Sequence, residues 1–409
     1  MNGDADTFRA LAFEPARTEE VSESEETGLT IDPAFWVRLA KPARKQGLSV
    51  VPIHTHPFTQ AAPAFSRRDR AGELSLQPVL ERLTGRPSAA VVMGERLETV
   101  GRFQDGKRLE GTVRSIGESP TRAATVAIDS EVFSRHIRAF GEEGQQRLQS
   151  LRVGVVGASG TGSHVCEQLI RLGVGELIVV DSDVVSRVNL NRIVTASGND
   201  AAEERAKVDT VRDYAAWAAT GTEVVGVRGD LLDTAVSERV RTVDALFGCT
   251  DTIASRAILN RIAVQHFIPY WDCGTEISAG HGLRAYGRMR VVLAGGPCLY
   301  CSGVIDPEAL RVELLDPAQR DLERARGYIR GAQAPAPSVV SINAVVASLA
   351  VTSFLRWVVG GEPIDGGEWI FRSYAGDVRR QEAQRDPQCP VCSTGARLGR
   401  ADLPVGLSQ

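Results

Sequence analysis

The stretch "RVGVVGASGTGSHVCEQLIRLGVGELIVVDSDVVSRVNLNR" (152–192) carries the pattern that decides the fold of this 409-residue chain. An apolar run typical of a buried strand leads through a glycine-rich turn into a helix, and a second apolar strand follows. Further apolar strands, "DALFGC" (244–249) and "IPYWDCG" (268–274), alternate with helical segments downstream. The alternation predicts an α/β fold with a Rossmann-like parallel sheet and crossover helices.

The glycine turn is typical of a nucleotide site. Glycine lets the backbone approach phosphates closely, and the helix that follows offers N–H groups and the positive end of its dipole. Asp181 ends the second strand, where a carboxylate can accept both ribose hydroxyls, and Asp183 follows it. Ser159 stands where G-x-G-x-x-G has its middle glycine, so this pattern alone favours a dehydrogenase and an ATP enzyme equally. The predicted phosphate-binding glycines are Gly157, Gly160 and Gly162.

Three charged residues downstream favour a triphosphate. Arg192 in "NLNR" and Lys207 in "ERAK" follow the ribose aspartate, and Asp251 in "GCTDT" ends the next strand. ATP carries about four negative charges, which cations and a carboxylate-bound Mg²⁺ would neutralise. Taken singly, each residue is better explained in another way, Arg192 and Lys207 as surface cations and Asp251 as a helix cap. In this order they favour ATP and Mg²⁺ over a nicotinamide cofactor.

Five motifs resemble the ThiF/MoeB/ubiquitin-activating superfamily over residues about 133–392. They are "FSRH" (133–136), "VGVVGASGTGS" (153–163), "VVDSDVVSRVNLNR" (179–192), "AK" (206–207) and "CTDT" (249–252). The resemblance implies an enzyme that adenylates the C-terminal glycine of a ubiquitin-like protein, using ATP and Mg²⁺. The sequence departs from the family pattern at Ser159 and at His136, where glutamine is usual.

The same resemblance implies roles for individual residues. Asp181 would hold the ribose, and Asp251 would hold Mg²⁺. Arg135 would reach the γ-phosphate in the partner subunit, so a homodimer is implied. The phosphates would be held by Asn189, Arg192 and Lys207.

Two C-x-x-C pairs predict a structural zinc site. Four thiolates brought together give the closed tetrahedral shell of Zn²⁺, and the alternative is four unrelated core cysteines. The superfamily often carries zinc at the same two places, which supports the metal. Cys273 in "WDCGT" is a candidate thioester nucleophile, although core packing is the favoured interpretation. The zinc ligands would be Cys298, Cys301, Cys389 and Cys392.

A second constellation lies in "VVPIHTHPFTQAAPAFSRRD" (50–69). His54 and His56 are two residues apart on a strand-like run, so both can face one metal ion with Asp69. Ser66 would then donate to an oxyanion, although it can equally cap a helix with Asp69. The pattern resembles the JAB/MPN (JAMM) metalloisopeptidases, with a spacer, Pro57–Phe65, two residues longer than usual. The glutamate base that such enzymes need has only Glu14 as a poor candidate.

The chain therefore divides into four predicted parts. A smaller α+β JAB/MPN-like domain (1–128) precedes a helical connector (129–150), the adenylation domain (151–395) and a tail (396–409). The N-terminus lacks a signal-peptide pattern, and the apolar stretch 339–359 carries enough polar residues to favour a core helix over a membrane span. From these two features we expect the protein to be cytoplasmic. The net charge of −4 gives no indication of nucleic-acid binding.

The predicted function is ATP-dependent adenylation of the C-terminus of a ubiquitin-like protein or peptide, with trimming or deconjugation by the N-terminal domain. Two alternatives stay open: a zinc isopeptidase with a degenerate nucleotide domain, and a non-catalytic scaffold that binds a ubiquitin-like partner. The acyl group would pass to a conjugating enzyme or a sulfur acceptor. The sequence does not specify the modifier or the acceptor.

Overall fold

A computed structural model of the chain describes residues 14–25, 28–56, 64–94, 98–103, 108–112, 127–278, 283–325, 337–360, 364, 366–393, 395–401 and 403–407. The chain forms two compact units, Met1–Arg114 and Ser115–Gln409. The boundary between the units falls after Arg114, earlier than the predicted domain end at residue 128. Most of the segment "AQAPAPS" (332–338) lies outside the described residues.

The first unit combines two helices with a four-stranded sheet in the order β3-β4-β5-β6. Strands β3 and β4 are parallel and the other neighbours are antiparallel, while β1 and β2 form a separate hairpin. Its elements are β1 (Val21–Glu25), β2 (Gly28–Ile31), α1 (Pro33–Gln46), β3 (Ile53–His56), α2 (Arg67–Thr84), β4 (Ala89–Gly94), β5 (Glu98–Phe103) and β6 (Arg108–Thr112).

The stretch "DPAFWVRLAKPARKQ" (32–46) predicts a helix with Asp32 as its N-cap and Pro33 as its first helical residue, and α1 confirms both. The Asp32 carboxylate accepts a hydrogen bond from the N–H of Ala34 at 2.8 Å, and Pro33 is the first helical residue. Phe35 and Ala40 turn inward, and α1 packs on α2, where Leu80 is fully buried. The unit is thus an α+β structure, as expected, and β3 brings both histidines to the end of a strand.

The second unit is an α/β structure built on an eight-stranded sheet in the order β14-β13-β12-β11-β10-β7-β8-β9. The neighbouring strands β11, β10, β7, β8 and β9 are parallel to one another. The pairs β11–β12, β12–β13 and β13–β14 are antiparallel. Its elements are α3 (Ser134–Ser150), β7 (Arg152–Val156), α4 (Gly160–Leu172), β8 (Glu176–Asp181), α5 (Gly198–Ala202), α6 (Lys207–Ala218), β9 (Glu223–Arg228), α7 (Thr234–Arg239), β10 (Ala245–Gly248), α8 (Ile253–His266), β11 (Tyr270–Ser278), β12 (Arg284–Val292), α9 (Pro307–Leu314), α10 (Pro317–Ala325), α11 (Val340–Val359), β13 (Gly367–Arg372) and β14 (Asp377–Gln381).

The strand order reverses between β7 and β10. From β7 the chain runs outward through β8 to β9, then returns to β10 and continues to β11. Loops at such a switch point leave a crevice at the carboxyl ends of the strands, where ligands bind in open α/β sheets. The glycine turn after β7 and the Asp251 loop after β10 both border this crevice.

Helix α11 is the central helix of the core. Its inner face packs on α4, β11 and β12, and Phe354 contacts the rings of Phe247 and Trp271. Among the described residues, α11 is the one helix whose length and apolar composition would allow it to cross a membrane. Half of its most apolar 18 residues are buried inside the protein. Its contacts support the prediction of a core helix.

The predicted connector is a helix that belongs to the second unit. Helix α3 is broken at Phe140 and Gly141, where Gly141 adopts φ +78°. A residue with a side chain is strained at this backbone conformation, so glycine permits the break. Beyond the break, Leu148 is fully buried in the core of the second unit.

The segment predicted as a tail is packed as part of the second unit. Gln265 of α8 donates its side-chain N–H to the carbonyls of Arg400 and Leu403 at 2.9 and 2.7 Å. Leu398 and Val405 are buried, with 7% and 1% of their surface exposed. A polar C-terminal stretch looks like a tail in sequence because its partners lie far away on α8.

Removing this segment should destabilise the second unit. A chain ending at Gly395 loses two buried aliphatic side chains, and burying each stabilises a protein by about 1.5–3 kcal/mol. We expect the thermal unfolding midpoint to fall by several degrees, while a control chain ending at Leu407 keeps the full-length value. An unchanged midpoint after truncation at Gly395 would contradict this packing.

Candidate functional site

The glycine turn is closed too tightly for side chains. Gly157 has φ +90°, and a Cβ atom there would lie 2.5 Å from the carbonyl oxygen of Cys249. A Cβ on Gly162 would lie 1.7 Å from the carbonyl oxygen of Gly157. Ser159 caps α4 without a side-chain hydrogen bond within the described chain. The first N–H groups of α4 therefore point into the crevice, as a phosphate would require.

Asp181 ties the end of β8 to the glycine turn. One carboxylate oxygen accepts the N–H of Ala158 at 2.7 Å, and the other accepts the N–H of Asp183 at 2.9 Å. Only 8% of its side chain is exposed. The residue predicted to bind ribose thus also fixes the shape of the turn.

Lys207 joins the same cluster. It is the first residue of α6 and is 5% exposed. Its ammonium donates to the Asp183 carboxylate at 2.6 Å and lies 3.6 Å from Asp181. A buried ammonium requires such carboxylates, because leaving water is costly without an opposite charge. The structure thus brings together three predicted site residues beside the turn.

Arg192 and Asn189 lie in the loop after β8. The side-chain oxygen of Asn189 accepts the N–H of Ser186 at 3.0 Å and closes a single helical turn, 187–189. Arg192 donates to the carbonyl oxygen of Val188 at 2.5 Å and to Asn191 at 3.1 Å. Within the described chain neither pairs with Asp181 or Lys207, so their phosphate contacts stay a prediction.

Asp251 is exposed at the end of the loop after β10. The cap of α8 is the next residue, Thr252, whose hydroxyl accepts the N–H of Ser255 at 3.3 Å. The alternative reading of Asp251 as a helix cap is therefore wrong. Its carboxylate lies at the edge of the crevice, where it can hold a metal ion.

A half-buried arginine near the Asp251 loop, Arg256, was not identified from the sequence. Arg256 donates to the carbonyl oxygen of Thr250 at 3.3 Å and lies 3.4 Å from the Asp272 carboxylate. The Asp272 charge raises the pKa of Arg256, and Asp272 also accepts the hydroxyl of Tyr270 at 2.8 Å. The one available signal was an acidic residue, Asp272, inside the otherwise apolar run "IPYWDCG".

Arg135 lies on the first turn of α3 with an exposed side chain. The neighbouring His136 packs between aromatic rings, 5.6 Å from the ring centres of Phe133 and Phe140. His136 therefore serves the packing of α3. The exposure of Arg135 suits the predicted reach towards a partner subunit.

The four cysteines of the two C-x-x-C pairs meet. Sγ–Sγ distances are 3.6 Å for Cys298–Cys389, 3.3 Å for Cys301–Cys392 and 4.0 Å for Cys298–Cys301. A tetrahedral zinc–thiolate centre with Zn–S bonds of about 2.3 Å needs separations of about 3.8 Å. Backbone N–H groups of Val391 and Cys392 point at the Cys389 sulfur, which favours a thiolate. The cluster can therefore hold zinc.

Cys273 lies in the core, as the favoured interpretation had it. It is 2% exposed. Its contact with Cys249 and its burial raise its pKa well above the ordinary thiol value. Burial likewise raises the pKa of Cys166 to about 12. Neither thiol has the exposure or the thiolate character that a thioester nucleophile needs.

The N-terminal histidines also meet their predicted partner. His54 Nε2 lies 3.1 Å and His56 Nε2 3.4 Å from the two oxygens of Asp69. Burial lowers the pKa of His54 and so favours the neutral, metal-binding form. The helix-cap interpretation also applies, because Ser66 and Asp69 form a capping box at α2 while Asp69 lies beside the histidines. The three side chains can hold a metal ion.

Other features of this pattern fare differently. Most of the spacer, 57–63, lies outside the described residues. Glu14 is exposed and outside any strand, which gives no support for it as the missing base. A carboxylate that the sequence analysis overlooked, Glu73, lies one turn after Asp69. It is 8% exposed and is paired with the guanidinium of Arg102.

The cysteine cluster makes a prediction about metal content. Purified protein should contain zinc that Cys298→Ser or Cys389→Ser removes, because three thiolates and a hydroxyl no longer form the closed tetrahedral shell. The zinc should be measured by atomic absorption, as the loss relative to wild type. The control Cys249→Ser should keep wild-type zinc. Equal zinc in all four proteins would exclude this cluster as a metal centre.

The ThiF family model matches residues 133–391. The chain is 28% identical over 277 residues to the SAMP-activating enzyme E1 of Haloferax volcanii, covering 66% of this chain and 93% of that protein. It is 26% identical over 259 residues to the molybdopterin-synthase adenylyltransferase of Escherichia coli, covering 63% and 92%. Among solved structures, E. coli MccB with MccA-N7isoASN superposes with a TM-score of 0.52 at 19% identity, covering 64% and 74%. That likeness shows the fold.

Proposed function

Because this chain belongs to the ThiF family, we propose that it adenylates the C-terminal carboxylate of a ubiquitin-like or sulfur-carrier protein or peptide. Several similar proteins are named adenylyltransferases, among them the sulfur carrier protein adenylyltransferase of Thermus thermophilus. The observation that carries the proposal is the buried Lys207 ammonium between Asp181 and Asp183, beside the glycine turn. A nicotinamide site has no use for this cation next to its ribose carboxylate.

The reaction is a substitution at phosphorus. A carboxylate oxygen of the substrate attacks the α-phosphorus of ATP, and the bond from that phosphorus to the β-phosphate oxygen breaks. The products are an acyl-adenylate and pyrophosphate. Catalysis of such a step consists mainly of positioning and charge neutralisation.

The residues divide this work by their place in the crevice. The N–H groups of α4 and Lys207 face the phosphates, and Lys207 exchanges one carboxylate partner for a phosphate oxygen. Arg192, in the loop after β8, would add a second cation. Asp251 would hold Mg²⁺, which when bound offsets the charge on the leaving pyrophosphate. Arg135 would complete the site of a partner subunit, so the active form would be a homodimer.

The zinc cluster stabilises this unit and has no open coordination position for chemistry. Because the described thiols outside the cluster are buried or beside the core, we propose that the adenylate passes directly to an external acceptor. That acceptor would be a sulfur acceptor or a conjugating enzyme.

Pyrophosphate exchange tests the proposal. Purified protein with a candidate carrier ending in glycine should incorporate labelled pyrophosphate into ATP. Asp251→Ala and Arg192→Ala should each reduce the rate by about 100-fold or more, as loss of one group that stabilises transition-state charge does. Arg187→Ala, an exposed arginine in the same loop as Arg192, should leave it unchanged. Exchange that survives both site variants would exclude this assignment.

We propose a second, separate activity for the first unit, which the histidine cluster favours. Two imidazoles and a carboxylate leave a fourth position open on a bound zinc ion, which supplies a Lewis acid for peptide hydrolysis. The unit would trim or remove the same carrier protein. The fit rests on three ligand atoms within 4.8 Å of one another.

This activity should depend on zinc and not on ATP. The wild type should cleave a carrier that is extended beyond its terminal glycine. The His56→Ala variant should contain one zinc ion fewer per chain and should not cleave this carrier. Lys207→Ala should lose pyrophosphate exchange and keep cleavage. If wild type shows exchange but cleaves no extended carrier, the first unit is a binding module and the second activity is wrong.

A further inference from the structure

The loop between β10 and α8 carries Asp251, and side chains from distant parts of the chain hold both of its flanks. We propose that Arg256 and Glu313 are positioning residues that clamp this loop and so fix the Asp251 carboxylate in the geometry that a metal ion requires. The inference rests on the proposed function, because it assigns the metal of the nucleotide to Asp251. It concerns two residues that none of the sequence motifs contains.

Arg256 holds the side of the loop that faces the sheet. Its guanidinium reaches the carbonyl oxygen of Thr250, the residue immediately before Asp251, and the Asp272 carboxylate on β11. Asp272 is itself fixed by the Tyr270 hydroxyl. A Cβ on Gly274 would lie 2.8 Å from the guanidinium nitrogen, so the glycine makes room for it. One end of the planar guanidinium thus donates a hydrogen bond to the loop while its Nε side pairs by charge with the strand carboxylate, a geometry that the single ammonium of a lysine does not reproduce.

Glu313 holds the other side. One oxygen accepts the N–H of Ile253 at 2.9 Å, and the other accepts the N–H of Ala254 at 3.3 Å. These are among the N–H groups at the start of α8 that find no partner within the helix. The N-cap Thr252 accepts the N–H of Ser255. The first turn of α8 is therefore closed by a carboxylate that α9 brings from about 60 residues away.

The two contacts fix the backbone on both sides of Asp251 while leaving its side chain exposed. Mg²⁺ demands near-octahedral geometry with ligand oxygens at about 2.0–2.1 Å. A carboxylate on an unrestrained loop loses conformational entropy each time it binds, whereas a clamped one is already ordered. Glu313 also places a second negative charge near the loop, which favours a cation and compensates the positive end of α8.

The clamp predicts a defect in metal dependence that a loss of stability alone would not cause. The variants are Arg256→Lys, which keeps the charge and loses the bridging geometry, and Glu313→Gln, which keeps an acceptor and loses the charge. The control is Arg261→Gln on the same helix. Arg261 binds the carbonyl oxygen of Gly406 at 2.6 Å and lies outside the crevice contacts described above.

Three measurements are made on the full-length chain: calorimetric binding of ATP in EDTA, Mg²⁺ titration at saturating ATP, and thermal unfolding. We expect Arg256→Lys and Glu313→Gln to weaken apparent Mg²⁺ affinity roughly 10- to 100-fold, the usual effect of losing an outer-shell partner of a metal ligand. ATP binding in EDTA should stay within about twofold of wild type. Arg261→Gln should lower the unfolding midpoint and keep wild-type Mg²⁺ dependence.

The outcomes separate this inference from the proposed function. Wild-type Mg²⁺ dependence in both clamp variants, whatever their unfolding midpoints, overturns the clamp. ATP binding by wild type that is indifferent to Mg²⁺ also overturns it. If wild type binds Mg·ATP and the clamp variants lose Mg²⁺ affinity, but no carrier supports pyrophosphate exchange, the clamp stands and the proposed adenylation is wrong.

Discussion

The crevice of the second unit is organised by one ionic contact, the buried ammonium of Lys207 against the carboxylates of Asp181 and Asp183. It joins the end of β8 to the start of α6, and Asp181 passes the constraint on to the glycine turn through the N–H of Ala158. A cation at this depth is stable only with opposite charge around it. Under the proposed function, a phosphate oxygen would take the place of one of these carboxylates beside Lys207.

Helix α8 connects the crevice to the zinc cluster. Its first turn follows Asp251, its Asn260 accepts the N–H of Leu299 between two zinc ligands at 2.9 Å, and its last turns hold the C-terminal segment. Zinc bound to the cysteine cluster would therefore stabilise the helix that follows Asp251. The cysteine cluster lies outside the crevice but is connected to it through α8.

Local sequence patterns predicted the parts that local physics determines. The strand–turn–helix at 152–181, the Asp32 cap, the core helix 340–359 and the meeting of the two C-x-x-C pairs follow from periodicity, capping and ligand chemistry. Strand β9 was missed because "EVVGVR" is short and half-buried, and β14 because "DVRRQ" is a polar edge strand. Propensity is weak in such strands, and pairing with a neighbour decides them.

The candidate site was predictable only where one residue acts with its sequence neighbours. Asp181 and Lys207 were identified by motif. Arg256 and Glu313 were not, because their partners, Asp272 and the N–H groups of Ile253 and Ala254, become neighbours only after the sheet and α9 have formed. The N-cap of α8 was likewise not predictable from the sequence, because Asp251 and Thr252 are adjacent and both are residue types that cap helices.

A crystal structure of the protein with Mg²⁺ and a non-hydrolysable ATP analogue would show whether the crevice is the nucleotide site. We expect the triphosphate across the N-terminus of α4, with the Lys207 ammonium turned from Asp183 to a phosphate oxygen and the metal on Asp251. A nucleotide bound elsewhere, with Lys207 still held between Asp181 and Asp183, would contradict it.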